Sequence, residues 1–188
     1  MPSSVERSVR SPVNEKLYTI RVDFLTPLDD VAGRRHVPIQ DDLFARKVRG
    51  CEAAFRHHTT VILEGRLPDG GRVSAPVRMA DVVASLTMKG IVLGERYREK
   101  DAYDIYALAA HYGGGPRAVA ETLRPHLSDP LIAEGMRTIR SAFADRSAAG
   151  PAWAAGFLVS PVFSAEYERR VTETFMAVRE LTGELFDG

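Results

Sequence analysis

The sequence holds a single cysteine, Cys51, in 188 residues. That excludes an internal disulfide framework and fits a reducing compartment such as the cytoplasm. Surplus charge is missing too, because 25 Lys+Arg face 25 Asp+Glu. A general attraction to nucleic acid or to an anionic membrane is thereby excluded, and any phosphate-binding surface has to be local. No apolar run approaches the roughly 20 residues that a membrane-spanning helix needs, and the N-terminus lacks the apolar centre of a signal peptide. His57 and His58 are adjacent, and His36, His111 and His126 stand at no metal-ligand spacing, so no zinc site is predicted. The run Gly113-Gly114-Gly115-Pro116 has neither the Lys and Ser/Thr of a phosphate-binding loop nor a strand before it. It reads as a helix C-terminus followed by proline in the first turn of the next helix.

What is present suffices for one well-buried domain, since 45% of the residues are hydrophobic. Residues 1–12 are rich in Ser, Arg and Pro without a period, and predict a disordered lead. Residues 17–25 alternate as a strand does, with Ile20, Val22 and Phe24 on one face and Arg21, Asp23 and Leu25 on the other. Thr26-Pro27-Leu28-Asp29-Asp30 and Gly33 supply turn chemistry after it. Residues 59–67 and 72–77 read as two further strands joined through the hairpin turn Pro68-Asp69-Gly70-Gly71.

From Pro116 onward the pattern is helical, over 117–127, 130–145 and 164–186. Ser164 stands as an N-cap, and Tyr167, Val171, Phe175, Val178 and Leu181 form an apolar stripe. The intervening 147–161 reads as irregular, with Trp153, Phe157, Val159 and the following Phe163 pinning it to the core. The predicted class is α+β, in three parts. These are the lead (1–12), a β-rich portion (13–78) and a helical portion (79–188).

Three basic clusters fall within the β-rich portion: Arg34, Arg35 and His36; Arg46, Lys47 and Arg49; Arg56, His57 and His58. In a neutral chain this concentration suggests a local site for phosphate groups, or else a solvated face of strands and loops.

The most unusual stretch is 79–112, where two helical patterns meet at a charged junction. Val82, Leu86, Leu93 and Arg96 recur at helical spacing, which places Lys89 on the same face as the apolar residues. After Arg96, Arg98, Glu99 and Lys100, a second stripe starts with Asp101, Asp104, Ile105 and Leu108. Asp101 and Asp104 also have the spacing of a capping pair, and Lys89 could extend its amine out of an apolar groove.

Written as K-x6-R-x3-K-D-x-Y-D-x-Y, the string Lys89, Arg96, Lys100, Asp101, Tyr103, Asp104 and Tyr106 resembles a signature of the abortive-infection nucleotidyltransferase toxins. These are the AbiEii and MenT-like proteins of bacterial type IV toxin–antitoxin systems. In that family the segment follows a strand ending near a proline, as Ser74-Ala75-Pro76-Val77 does here. The resemblance covers about residues 74–112 well and the flanks loosely.

The resemblance implies a nucleotidyltransferase-like mixed sheet followed by helices, and transfer of nucleotides from a nucleoside triphosphate to an RNA such as tRNA. It also implies a cognate antitoxin protein and Mg2+ bridging carboxylates and phosphates. On this reading Asp23 resembles a metal-binding carboxylate, Lys89 the phosphate-facing lysine, and Asp104 or Asp101 the acid of the helical signature. Arg96, Lys100, Arg46, Lys47 and Arg49 would contact nucleotide or RNA.

The chain departs from the family before Asp23, where neither a Gly-Ser turn nor an Asp-x-Asp occurs. Asp29-Asp30 and Asp41-Asp42 are adjacent pairs, which on a strand point to opposite faces. Either the chain begins downstream of that element or it keeps the scaffold without the catalysis. The second case describes a non-catalytic module binding RNA, nucleotide or a protein partner.

Overall fold

Where composition predicts a disordered lead, the chain forms a strand. Val5 and Val9 flank Arg7 on one face of β1 (Ser4–Arg10), and antiparallel pairing sets them opposite Val22 and Tyr18 of β2 (Leu17–Asp23). The arginine at the centre of the face hides the alternation from a reading of composition, and the cross-strand pairs supply the stabilisation. The structure is a computed structural model and describes residues 3–28, 35–67, 69–96, 98–160 and 164–187. It divides into two compact units, Met1–Glu52 and Ala53–Gly188, and has the predicted α+β class, with the helices in the C-terminal part.

The first unit adds a three-stranded sheet of order β3-β5-β4, from β3 (Leu25–Pro27), β4 (His36–Gln40) and β5 (Leu43–Val48). β3 runs parallel to β5, and β4 is antiparallel to it. The predicted strand 17–25 is thus shared between two sheets, broken at Phe24. Thr26 and Pro27, expected as a turn, belong to β3, where an edge position tolerates the missing proline N–H. Asp29, Asp30, Gly33 and Arg34 lie outside the described residues. Cys51 is free and buried.

The short helix α1 (Glu52–Arg56), which is in the second unit from its second residue on, leads into a hairpin of β6 (His58–Arg66) and β7 (Arg72–Ala80). Its turn is close to the predicted one. Gly70 takes φ +88°, open to glycine, and the Gly71 amide donates to Asp69 Oδ1 at 2.9 Å. The hairpin belongs with the helices, so the compact units part at 52/53 and not at the 78/79 boundary expected from sequence.

The remaining elements are α2 (Val82–Glu95), α3 (Glu99–His111), α4 (Pro116–Leu123), a 3-10 turn (Arg124–His126), α5 (Pro130–Ala142), α6 (Ala149–Leu158) and α7 (Ala165–Phe186). Asp81, Asp129 and Ser164 cap α2, α5 and α7 by accepting from Ala84, Leu131 and Tyr167 amides. Their apolar faces converge on a core that includes Leu86, Leu93, Ile105, Leu123, Ile132, Met136, Ile139, Phe143 and Leu181. α7 turns Thr174 and Thr182 inward alongside Val171, Val178 and Leu181, while Tyr167 and Phe175 of the predicted stripe are only partly buried.

α2 and α5 touch backbone to backbone: a Cβ on Gly90 would lie 2.2 Å from the Gly135 carbonyl oxygen. α6 replaces the irregular stretch predicted over 147–161. Pro151 is tolerated because it falls in the first turn, where its N–H would have no helical partner. Gly150 lies against the Ala142 carbonyl and the Phe143 ring, 2.6 Å from where its Cβ would be. Among the described residues, no helix is long and apolar enough to cross a membrane.

Candidate functional site

The Asp81 cap sets the phase of α2, and the apolar face that this phase buries carries Lys89 with it. Lys89 Nζ lies 2.9 Å from Asp101 Oδ1 and 2.6 Å from Asp104 Oδ2. Arg96, the C-cap residue of α2, has its Nε 3.3 Å from Asp101 Oδ2, and Lys100 Nζ lies 2.8 Å from Asp104 Oδ2 across one turn of α3. The five charged residues of the string therefore meet. Three cations face two carboxylates, an excess of positive charge at the cluster.

Burial is graded through it. The Asp101 side chain is 4% exposed, Asp104 22% and Lys89 30%, while Arg96 and Lys100 reach out at 50% and 64%. α3 begins at Glu99 with Arg98 as its N-cap residue, so Asp101 stands in the first turn rather than at the cap. Its Oδ1 accepts from Lys89, and its Oδ2 is buried with no hydrogen-bond donor among the described residues. Pairing with Lys89, not capping, is what accounts for the aspartate.

Burial alone would lower the Lys89 pKa, but hydrogen bonds to Asp104 and Asp101 outweigh it and hold the ammonium above its ordinary value. For Asp104 burial acts upward, and the bonds from Lys100 and Lys89 pull the carboxyl below its ordinary 3.8. Asp104 thus binds a proton more weakly folded than unfolded. Its contribution is present above pH 3.8 and lost as the pH falls through its lower folded value. Lys89 has the opposite sign, its contribution being lost only as the pH rises past its elevated value. An acid titration followed by circular dichroism should show the helical unit weakening below pH 3.8, and Asp104→Asn should flatten that limb.

The tyrosines of the string look the other way. Tyr106 donates to Glu173 Oε1 of α7 at 3.0 Å, and Arg170 holds the second Glu173 oxygen at 2.8 Å. Tyr103 stacks on Phe157 of α6 at 4.7 Å between ring centroids. Arg170 and Glu173 gave no signal in the sequence, because their partner lies far away along the chain.

The remaining candidates are carried by other elements. Asp23 ends β2 in the first unit, with Arg21 Nε 2.9 Å from its Oδ1. Arg46 and Lys47 are neighbours on β5 and so point to opposite faces of its sheet, and Arg49 follows the strand. In the second unit Arg56 pairs with Asp129, and His57 packs edge-on against His126 at 4.6 Å.

Magnesium needs carboxylate oxygens, and it is commonly held by one or two carboxylates together with substrate phosphates. Here Asp101 and Asp104 are engaged by cations and Asp23 is paired with Arg21. No group of three or more His, Cys, Asp or Glu among the described residues is placed to hold a metal. The two carboxylates of the cluster are thus already paired with cations of the chain itself. Comparison with protein-family models, curated proteins and solved structures finds no match to this chain.

Proposed function

We propose that the chain is a nucleotidyltransferase-like module of a bacterial toxin–antitoxin system of the AbiEii/MenT-like kind. In this reading it takes a nucleoside triphosphate on the α2–α3 ion cluster, with an RNA such as tRNA as acceptor and a cognate antitoxin as partner. The observation that supports the reading is the convergence of Lys89, Arg96, Lys100, Asp101 and Asp104 within hydrogen-bond or ion-pair distance from two helices.

The division of labour follows from burial. Asp101 stays inside and fixes the Lys89 ammonium in place and charged. Lys100 and Arg96, more exposed, turn from the carboxylates to a polyphosphate, whose greater charge competes for them. Lys89 then faces phosphate oxygens where it faced Asp104. Such binding releases counterions and weakens steeply with salt.

Because the cluster's carboxylates are engaged by its own cations, transfer by this chain alone is expected to be weak or nil, and the same observation favours a second reading, a module that binds nucleotide or RNA without transferring it. The test is incubation with labelled nucleoside triphosphates, magnesium and total tRNA, beside Lys89→Ala and Asp104→Ala variants whose helicity has been verified. Incorporation by the unmodified chain, abolished in both variants, would establish transfer. Thermal protection by triphosphate without incorporation would support the binding module. Incorporation equal in all three would remove Lys89 and Asp104 from the site.

A further inference from the structure

Beside the ion cluster the second unit carries a groove of about 440 Å³, in the size range of small-molecule clefts. Leu93 and Gly94 of α2 form one wall, Glu134, Thr138 and Ser141 of α5 another, and Trp153 of α6 a third. It exists because Gly94 has no side chain: a Cβ there would already stand 3.3 Å from Thr138 Cγ2.

The lining is chemically mixed in a particular way. Trp153 supplies a half-buried indole. The three α5 residues, spaced by four and three, form one row of polar groups along the helix. The Thr138 hydroxyl donates to the Glu134 carbonyl at 3.1 Å and so keeps its lone pairs for an incoming donor. An aromatic side chain and a polar row lining one groove suit a flat heterocycle carrying donors and acceptors on its edge.

The register of α2 ties the groove to the cluster. On α2, Leu93 follows Lys89 by four residues, one turn along the same face, and Arg96 caps the helix just beyond it.

We propose that this groove takes the base and ribose of a nucleotide whose phosphates lie on Lys89, Arg96 and Lys100. The inference rests on the polyphosphate reading of the cluster and adds a base site to it.

Trp153 is the only tryptophan of the chain, so its fluorescence reports on the groove. The full chain is titrated with adenosine and guanosine, with the corresponding triphosphates, and with inorganic tripolyphosphate, and thermal protection is measured in parallel. Nucleosides should change the Trp153 emission saturably, and triphosphates should do so at concentrations about tenfold lower or less, since phosphate contacts add affinity. Gly94→Leu places a side chain in the groove. It should abolish the nucleoside response while protection by tripolyphosphate persists. Ser141→Phe obstructs the opposite wall and serves if Gly94→Leu does not fold.

A nucleoside response retained in both filled variants, or no response in the unmodified chain, overturns the base site. In the latter case Lys89-dependent protection by tripolyphosphate would leave the cluster reading standing. Tripolyphosphate without effect beside a groove-dependent nucleoside response would overturn the cluster reading and support the groove as a heterocycle site by itself.

Discussion

Gly90→Ala should destabilise the helical unit by about 3 kcal/mol, the upper part of the usual overpacking range. The new methyl would stand 2.2 Å from the Gly135 carbonyl oxygen, and the atoms it meets are backbone, so relief requires α2 and α5 to separate. Separation would loosen Leu86, Leu93, Ile132 and Met136 together, since all four are fully or almost fully buried in the same core. Gly135→Ala meets the Thr87 carbonyl oxygen at 2.9 Å and should lose less. Gly94→Ala meets only Thr138 side-chain atoms, at 3.3 Å and 3.8 Å. Its gain in helix propensity, about 0.5–1 kcal/mol, should offset most of that contact. Urea unfolding of the three variants, read by circular dichroism, should rank them Gly90→Ala, Gly135→Ala, Gly94→Ala from least to most stable. Equal stabilities would refute the close crossing.

Lys89→Met should destabilise the same unit by about 2–4 kcal/mol, somewhat under the penalty for breaking a fully buried pair. The discount reflects the 30% exposure of the lysine side chain and the second cation, Arg96, near Asp101. Methionine preserves the apolar stem, so the loss measures the stranded carboxylate at Asp101, which is 4% exposed. Adding Asp101→Leu should recover much of the stability, because an apolar side chain removes the uncompensated charge. A double-mutant cycle gives the coupling directly. Coupling near zero would mean that the pair does not hold α2 to α3, and the case for a fixed, charged Lys89 would fall with it.

The sequence by itself determined the local parts: the two helices around the charged junction, the hairpin turn at Gly70, the proline start of α4 and the Ser164 cap. Each follows from chemistry within a few residues, as with glycine at positive φ or a hydroxyl reaching an N–H three positions on. It also placed Lys89 on the apolar face of α2 and Asp101 with Asp104 on one face of α3, whereas the extended backbone at Arg96 and Arg98 breaks the helical phase and leaves their meeting to the packing of the two helices.

Tertiary structure decided the rest. Val5 and Val9 form a strand because β2 lies beside them. Gly150 and Pro151 sit in a helix because Phe143 and Ala142 accept a backbone without a Cβ. Glu173 reaches Tyr106 only once α7 packs on α3, and the groove at Trp153 exists only where three helices leave Gly94 uncovered. In each case the deciding partner lies too far along the chain for any local pattern to register it, and its contribution comes from packing between elements rather than from propensity within one.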